Sequence, residues 1–456
     1  MKKQQNTTEG NIDAHLIKLA VPLICGNILQ QFYNTVDALV VGRFAGKEEF
    51  AAIGIAGTVM NLFLFAIVGA CTGVSVLFAR YYGAGDNRGF RRQHFTALSM
   101  GLLGSVGLGF LGIIGKNMIL QLIQTPPVLL QYGADYLRWI FLSLPAAFLY
   151  NLYASVLRSA GDVKAALVIL AAAVCTNLGL DLWFVAGLHL GIQGAAAATA
   201  LTQLISAVLC IGYIFQAHRE FLFHREDCRF RRNEFQTTFH FAAVTALHQS
   251  GLYIGKMLVQ GAVNTAGTDA ISAYTAATRI EGFANSFGDS GSAATSIVTA
   301  QNFGAGKEER VRETFWKSLR LLAVFGLLCA GILFLTARTT MGFMIGNKTD
   351  GAFLAATGYL KIVAIFYVFC FTGNTFAGYF DGIGRVNIPF IGAVGHITLR
   401  VILSWIFVSQ FQLNAVAVAT GMGWVLVNLF WSICYSLHYP LIRKIQPRYN
   451  NNSMSV

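Results

Sequence analysis

Tyr82-Gly83-Ala84-Gly85 recurs 221 residues later as Phe303-Gly304-Ala305-Gly306, and this repeated stretch decides the fold. The same offset relates 44–48 to 265–269, and an offset of 223 relates 161–164 to 384–387. An offset that stays nearly constant along a chain is typical of an internal duplication. We therefore predict that the sequence contains two copies of one structural unit.

The composition of the whole chain indicates a membrane protein. Of the 456 residues, 55% are hydrophobic and only 12% are charged, whereas a soluble domain carries roughly a quarter charged residues. Phe95–Gly115 and Leu413–Leu437 contain no charge, and about 20 apolar residues suffice to cross a bilayer. We predict an all-α integral membrane protein of twelve transmembrane helices.

The predicted helices are separated by short polar stretches. We expect no cleavable signal peptide before them, because the first apolar run is longer than the apolar region of a signal peptide. The eight cysteines form no CxxC pair, so no zinc site or disulfide framework is expected. The predicted spans are 14–41, 51–79, 94–115, 129–157, 164–186, 192–216, 236–263, 270–300, 315–337, 352–379, 387–409 and 414–437.

The distribution of basic residues predicts the orientation. If the N-terminus is cytoplasmic, 23 of the 33 lysines and arginines lie in inside segments and 7 in outside segments. Basic residues are retained on the cytoplasmic side of inserted helices. We therefore predict a multi-pass protein of the cell membrane with both termini in the cytoplasm. The net charge of +12 is then a topology signal, and no nucleic acid is expected as a partner.

The duplication predicts the domain organisation. Six helices per half give both halves the same orientation, so the two six-helix bundles are related by a pseudo-two-fold axis along the membrane normal. We place the two lobes at 1–225 and 226–456. Two such bundles can rock about a central cleft, which is the geometry of alternating access, and this predicts a secondary transporter. A membrane-embedded enzyme is disfavoured, because neither an HExxH zinc motif nor a GxSxG elbow is present.

Polar residues within predicted helices are candidates for the working site, because ionisable groups are costly in a membrane. In the first half these are Asp37 in helix 1, Asp181 with Asn177 one turn before it in helix 5, and Thr199 in helix 6. Pro22 predicts a bend or hinge in helix 1. Two buried carboxylates can exchange a proton or a cation; the alternative is that each is an interfacial helix-end charge.

The second half has a different set of charges, namely Lys256, Glu281, Asp289 and Arg400, with His396 one turn before Arg400. Lys256 and Asp289 are candidates for an internal ion pair, and Arg400 for a pair with Asp289 or Glu281. These residues either stabilise the packing of the helices or bind substrate, and the sequence leaves both interpretations open.

Several short stretches, in this order on a duplicated six-helix plan, resemble the multidrug and toxic compound extrusion (MATE) transporters over essentially the whole chain. They are Ala20-Val21-Pro22, Val36-Asp37, Tyr82–Gly85, Leu157–Asp162, Asn177–Asp181, Ala300–Gly306 and Gly378–Gly384. The resemblance is closest to the bacterial DNA-damage-inducible (DinF-like) branch. It implies an antiporter that exports small amphipathic organic compounds, including cations, in exchange for protons or sodium, as a monomer among membrane lipids and without a cofactor.

The resemblance also implies residue roles. Asp37, Asn177, Asp181 and Thr199 match the ion-coupling positions of the DinF-like branch, with sodium at the first three as an option. Lys256 stands on helix 7, where another branch has the acid of a sodium site, so proton coupling is favoured. The main rival function is a flippase for lipids or lipid-linked oligosaccharides of the same superfamily, whose cavity we expect to be more basic.

Overall fold

The computed structural model describes residues 6–44, 46–346 and 351–445, except for the side chains of 34–39, 47 and 438–445. It is helical throughout, and twelve long helices follow one another along the chain. They are α1 (Ile12–Phe44), α2 (Lys47–Gly83), α3 (Asn87–Leu122), α4 (Pro127–Ser159), α5 (Val163–Asp181), α6 (Gly191–Ala217), α7 (Arg232–Asn264), α8 (Thr268–Gly304), α9 (Glu308–Ile345), α10 (Gly351–Gly382), and α11 and α12, which share Asn387–Ile445.

The last two helices are separated by a single residue. Gln412 has φ 52° and ψ −139° inside Asn387–Ile445, so α11 covers 387–411 and α12 covers 413–445. A short π-helix, Leu182–Gly187, continues α5, and a 3-10 turn, Arg219–Phe221, follows α6. The prediction of an all-α fold with twelve helices is confirmed.

Except for α5, which ends at Asp181, the helices are longer than the predicted spans. Helix α2, for example, has 37 residues and at 1.5 Å per residue exceeds the roughly 30 Å hydrocarbon core. Nine helical segments of the described residues are long and apolar enough to cross a membrane, and the last of them includes both α11 and α12. Helices α7 and α8 are not among the nine, because polar and small residues dilute their apolar content.

The repeated glycine of the opening motif has a backbone reason. Gly85 and Gly306 both have φ of 69°, a left-handed conformation that glycine adopts without the Cβ penalty of other residues. Each lies in the tight turn that follows α2 or α8. The motif therefore recurs because the same turn is built twice.

The helices group into two compact units. Unit 1 contains Val21–Ser250, whereas unit 2 contains Thr7–Ala20 and the chain from Gly251 onward. The start of α1 is thus counted with unit 2, and the first half of α7 with unit 1. The sequence predicts two six-helix lobes at 1–225 and 226–456, and this division stays a prediction.

The segment before α1 is held within unit 2 by hydrogen bonds. The amide and the hydroxyl of Thr7 both donate to Gln301 Oε1, at 3.1 and 2.7 Å. Arg310 Nη2 donates to the Thr7 carbonyl at 3.1 Å, and Lys307 Nζ donates to the Thr8 carbonyl at 2.9 Å. Thr7 and Gln301 are fully buried, so this segment is an integral part of unit 2.

The first half of α7 is held within unit 1 in a comparable way. Gln93 Nε2 donates to Thr238 Oγ1 at 2.7 Å, and both side chains are buried. In the segment before α7, Arg91 Nε forms a salt bridge of 2.6 Å with the buried Asp227. Hydrogen bonds from Arg91 and from the His224 amide overcome the effect of burial and hold the pKa of Asp227 below its usual value.

A histidine at the end of α6 links two carboxylates of unit 1. His218 Nε2 lies 3.2 Å from Asp162 Oδ2, and His218 Nδ1 lies 3.3 Å from Glu220 Oε1. Tyr213 donates to the same Asp162 oxygen at 2.8 Å. Burial lowers the pKa of His218, but the two carboxylates outweigh it and raise that pKa above 6.5. Burial raises the pKa of Asp162, and its hydrogen bonds, the first from His218, outweigh burial and lower it.

We expect the His218→Gln variant to be less stable than the unchanged protein at pH 6, and the difference to vanish at high pH. A histidine with a raised folded-state pKa stabilises fully below its unfolded pKa and loses this contribution as the pH rises through the folded one. The expected loss is about 2–4 °C in Tm, measured by thermal unfolding in detergent between pH 6 and 9. The exposed His240→Gln variant is the control, and a pH-independent difference would contradict the assignment.

Candidate functional site

A polar cavity lies inside unit 1 between helices α1, α4, α5 and α6. Its empty volume, which includes space open to solvent, is about 370 Å³. The lining residues are Gln30, Tyr33, Tyr150, Leu170, Ala173, Val174, Asn177, Thr199, Thr202, Gln203 and Ser206. Two of the residues that the sequence singled out, Asn177 and Thr199, are therefore placed in one cavity.

Helix α5 carries Asn177, whose amide lines the cavity, and the buried Asp181, which is not among the lining residues. Asn177 lines the cavity, and Asp181 lies four residues further along, on the same face of the helix. Their exposed fractions are 1% and 0%. Among the described residues, neither Oδ1 nor Nδ2 of Asn177 has a hydrogen-bond partner. A buried amide without partners is costly, so Asn177 indicates that the cavity holds water, a cation or a substrate.

The π-helix begins directly after Asp181. Helix α5 ends at Asp181 and the wider turn runs from Leu182 to Gly187. Such bulges occur frequently at functional sites. The backbone next to the buried carboxylate of Asp181 therefore departs from regular α-helical geometry.

Helix α6 contributes residues that the sequence analysis missed. Beside Thr199, it places Thr202, Gln203 and Ser206 in the cavity. These four lie at intervals of three and four residues, so they form a stripe along one helical face. That spacing is a signal that was readable in the sequence. Thr202 Oγ1 and Gln203 Oε1 have no hydrogen-bond partner within the part of the chain that the structure describes.

Helix α1 contains two of the predicted site residues, Asp37 and Pro22. Asp37 is in the helix, but its side chain lies outside the described residues. Pro22 is buried inside α1, next to the point where the chain passes from unit 2 at Ala20 to unit 1 at Val21. Its role as a hinge stays a prediction.

The polar groups that line the cavity are hydroxyls and the side-chain amides of Gln30, Asn177 and Gln203. Their oxygens suit water or a hard monovalent cation. In the described ranges, no group of three or more His, Cys, Asp or Glu residues is placed to hold a metal ion.

Unit 2 has its own buried charges. Glu281 is buried, and the charges of Arg400 and Lys256 both act on it. Arg400 Nη2 donates to the hydroxyl of Tyr274 at 3.1 Å. Of the two acids considered as partners of Arg400, Glu281 is therefore the one in electrostatic contact with it.

The other three candidates of unit 2 are Lys256, Asp289 and His396. Lys256 and Asp289 form no salt bridge within 4.0 Å in the described part of the chain, although the charge of Lys256 acts on Asp289. The ion pair for which the sequence made them candidates is therefore not formed in the described part of the chain. His396 stacks against Trp424, with ring centroids 6.5 Å apart.

Comparisons with known proteins follow the same two halves. The family model described as MatE matches residues 22–183 and 243–406. The probable multidrug resistance protein YpnP of Bacillus subtilis is 25% identical over 440 residues, covering 96% of this chain and 97% of its own. The DNA damage-inducible protein F of Escherichia coli is 25% identical over 202 residues, covering 44% of each chain.

Solved structures agree with the fold. The crystal structure of MATE in complex with MaL6 superposes with a TM-score of 0.90 at 20% identity, covering 97% of this chain and 100% of the other. At this level of identity the likeness concerns the fold, and it includes all twelve helices.

Proposed function

This chain belongs to the MatE family of multi-pass membrane transporters, and on that premise we propose that it is a multidrug exporter driven by protons. The observation that carries the proposal is the cavity of unit 1, which is lined by the amide of Asn177, an amide without a partner among the described residues, one helical turn from the buried carboxylate of Asp181. The similarity to YpnP, which is called a probable multidrug resistance protein, supports export of small amphipathic organic compounds, including cations. The family is one of transporters and not of enzymes.

We infer a division of roles among the first-lobe residues. Asp181 and Asp37 take up and release the coupling proton, while Asn177 and Thr199 hold the water or cation beside them. The full burial of Asp181 supports this role, because ionisable groups inside a membrane bundle are costly and mark ion and proton pathways. Pro22 is the proposed hinge of α1, since it stands next to the change from one unit to the other.

The further assignments are proposals of the same kind. Placement in the DinF-like branch is supported by the motifs in the sequence and by the partial match to the DNA damage-inducible protein F. The 23 to 7 distribution of basic residues supports cytoplasmic termini. We propose a monomer as the working unit, in which alternating access carries the substrate outward.

Proton-coupled export is tested in proteoliposomes that contain the purified protein and trapped pyranine. Adding a cationic dye to the side of uptake is expected to move protons in the opposite direction, in proportion to the dye transported. Proteoliposomes without protein are the control. Dye transport with no proton movement would contradict the proposal.

Sodium is expected to be dispensable. Lys256 on α7 places a positive charge near Glu281 in unit 2, and this disfavours a second sodium-binding carboxylate site there. Replacing all sodium with N-methylglucamine should leave the rate of dye export within about twofold, because the proton gradient supplies the driving force. A loss of export that sodium alone restores would show that sodium is the coupling ion.

A further inference from the structure

Four exposed arginines lie close together in the sequence where the chain passes from α6 to α7. They are Arg225, Arg229, Arg231 and Arg232. In the part of the chain that the structure describes, none of the four forms a salt bridge within 4.0 Å.

The acids beside these arginines are engaged elsewhere or half-buried. Glu226 pairs with Arg88 of α3 at 3.4 Å. The buried Asp227 pairs with Arg91 of the same helix at 2.6 Å. Glu234, in the first turn of α7, is half-buried and forms no salt bridge within the described ranges. The four exposed arginines therefore remain available to an anion from outside the chain.

Three phenylalanines form a row next to the arginines. The ring centroids of Phe230 and Phe235 are 5.3 Å apart, and those of Phe235 and Phe239 are 6.2 Å apart with nearly parallel planes. Phe230 is 73% exposed and Phe239 is 57% exposed. Such a row is costly in water, and aromatic rings are enriched at the edges of a bilayer. We call the four arginines and the three phenylalanines the linker surface.

The position of the linker surface along α7 corresponds to the headgroup layer of the membrane. Helix α7 begins at Arg232, and its predicted membrane span begins at residue 236. At 1.5 Å per residue, Phe239 lies about 10 Å further along the helix than Arg232, and the headgroup layer is roughly 5–8 Å deep on each side of the bilayer. The arginines therefore stand at the level of the headgroups, and Phe239 reaches the edge of the acyl chains.

We propose that the linker surface binds an anionic phospholipid of the leaflet that surrounds it. The guanidinium groups donate hydrogen bonds to the phosphate, for which their planar geometry is suited, and the exposed rings pack against the acyl chains. Clusters of four or more basic residues directly beside a membrane-spanning helix bind anionic lipids in this way. A zwitterionic lipid offers the same chains, but the arginines repel the positive nitrogen of its headgroup.

The combination of charge and apolar rings selects a lipid as the occupant. A soluble phosphate ester could neutralise the arginines, but it has no chain to cover Phe230 and Phe239. An anionic phospholipid satisfies both parts of the linker surface at once. This binding is separate from the export of drugs and does not depend on which ion drives it.

Site-specific crosslinking to lipid tests the proposal. Full-length protein with p-benzoylphenylalanine in place of Phe230 is reconstituted in nanodiscs of equal parts phosphatidylglycerol and phosphatidylcholine. After illumination, lipid adducts at this position are identified by mass spectrometry. We expect adducts of phosphatidylglycerol to exceed those of phosphatidylcholine by about fivefold or more, since even one basic residue near the surface has an effect of this size.

A triple variant and its matched control show whether the arginines cause the preference. Arg229→Gln, Arg231→Gln and Arg232→Gln together should reduce the ratio of the two adducts to about one, because the attraction to the negative headgroup is lost. The control removes three exposed basic residues elsewhere, namely Lys18→Gln, Lys164→Gln and Arg312→Gln, and should keep the preference. If the triple variant does not fold, the protein with its arginines intact is measured at rising salt, which should lower the ratio by screening.

Three outcomes would overturn the proposal. Equal yields of the two adducts at low salt would show that the linker surface does not select anionic lipid. A crosslink to a second copy of the chain, in place of a lipid adduct, would show that the linker surface is a protein interface. Displacement of the lipid by soluble glycerol 3-phosphate would show that the arginines bind free phosphate esters and that the rings have no part in recognition.

Discussion

The Asp181→Asn variant is expected to fold normally and to lose proton-driven export to the level of proteoliposomes without protein. Asparagine has the shape of aspartate but no proton to exchange at any pH of the experiment. The buried position of Asp181, one turn from Asn177, is the reason to expect so large an effect. Proton movement and dye transport are measured together with pyranine and a cationic dye.

A second carboxylate of unit 1 provides the control. Asp135 is half-buried on α4 and lies 3.3 Å from the side-chain amides of Gln131 and Gln193, so Asp135→Asn retains an acceptor there and should export normally. The Asp37→Asn variant is expected to behave like Asp181→Asn. Export at the unchanged rate by both Asp37→Asn and Asp181→Asn would show that the first-lobe acids do not carry the coupling ion.

The Gly73→Leu variant is expected to prevent folding of unit 1. Helix α2 approaches the first half of α7 so closely at Gly73 that a Cβ would collide with Thr245 Oγ1 and with the backbone carbonyl of Phe241. Backbone atoms cannot rotate away as a side chain can. The cost should therefore reach or exceed the upper end of the about 1–3 kcal/mol typical of overpacking. Fluorescence-detected size exclusion should show little monodisperse protein.

Helix α2 contains its own control for this change. Gly54 lies on the same helix, and a Cβ there would meet nothing within 4 Å. Gly54→Leu should give the same yield and elution profile as the unchanged protein. A normal profile for Gly73→Leu would mean that α7 does not pack on α2 in the membrane.

The large-scale fold was readable from the sequence because its signals are local and repeated. Apolar runs locate the helices, and Gly85 and Gly306 mark the same turn in both halves. Asn177 and Thr199 could be placed in a cavity because a polar residue inside an apolar helix needs a polar surrounding. The remaining part of the α6 stripe was missed, although its spacing was regular.

Other features depend on tertiary contacts that leave no pattern in the sequence. Thr7 docks in unit 2 partly through its backbone amide and carbonyl, and any residue has those groups. The sequence could only name Lys256 and Asp289 as candidates for an ion pair, because sequence spacing gives no distance between side chains on different helices. Only the structure shows that the charges stand apart.

Each unit includes the first part of a helix that continues in the other unit, and this exchange bears on how such a chain arose. The start of α1 belongs to unit 2 and the first half of α7 belongs to unit 1, so neither six-helix half contains all of its own packing. A half-length ancestor with this architecture would have needed a second copy to complete it, as a segment-swapped homodimer. Fusion of the two genes would then have made the partnership permanent and freed each half to acquire a different set of charges.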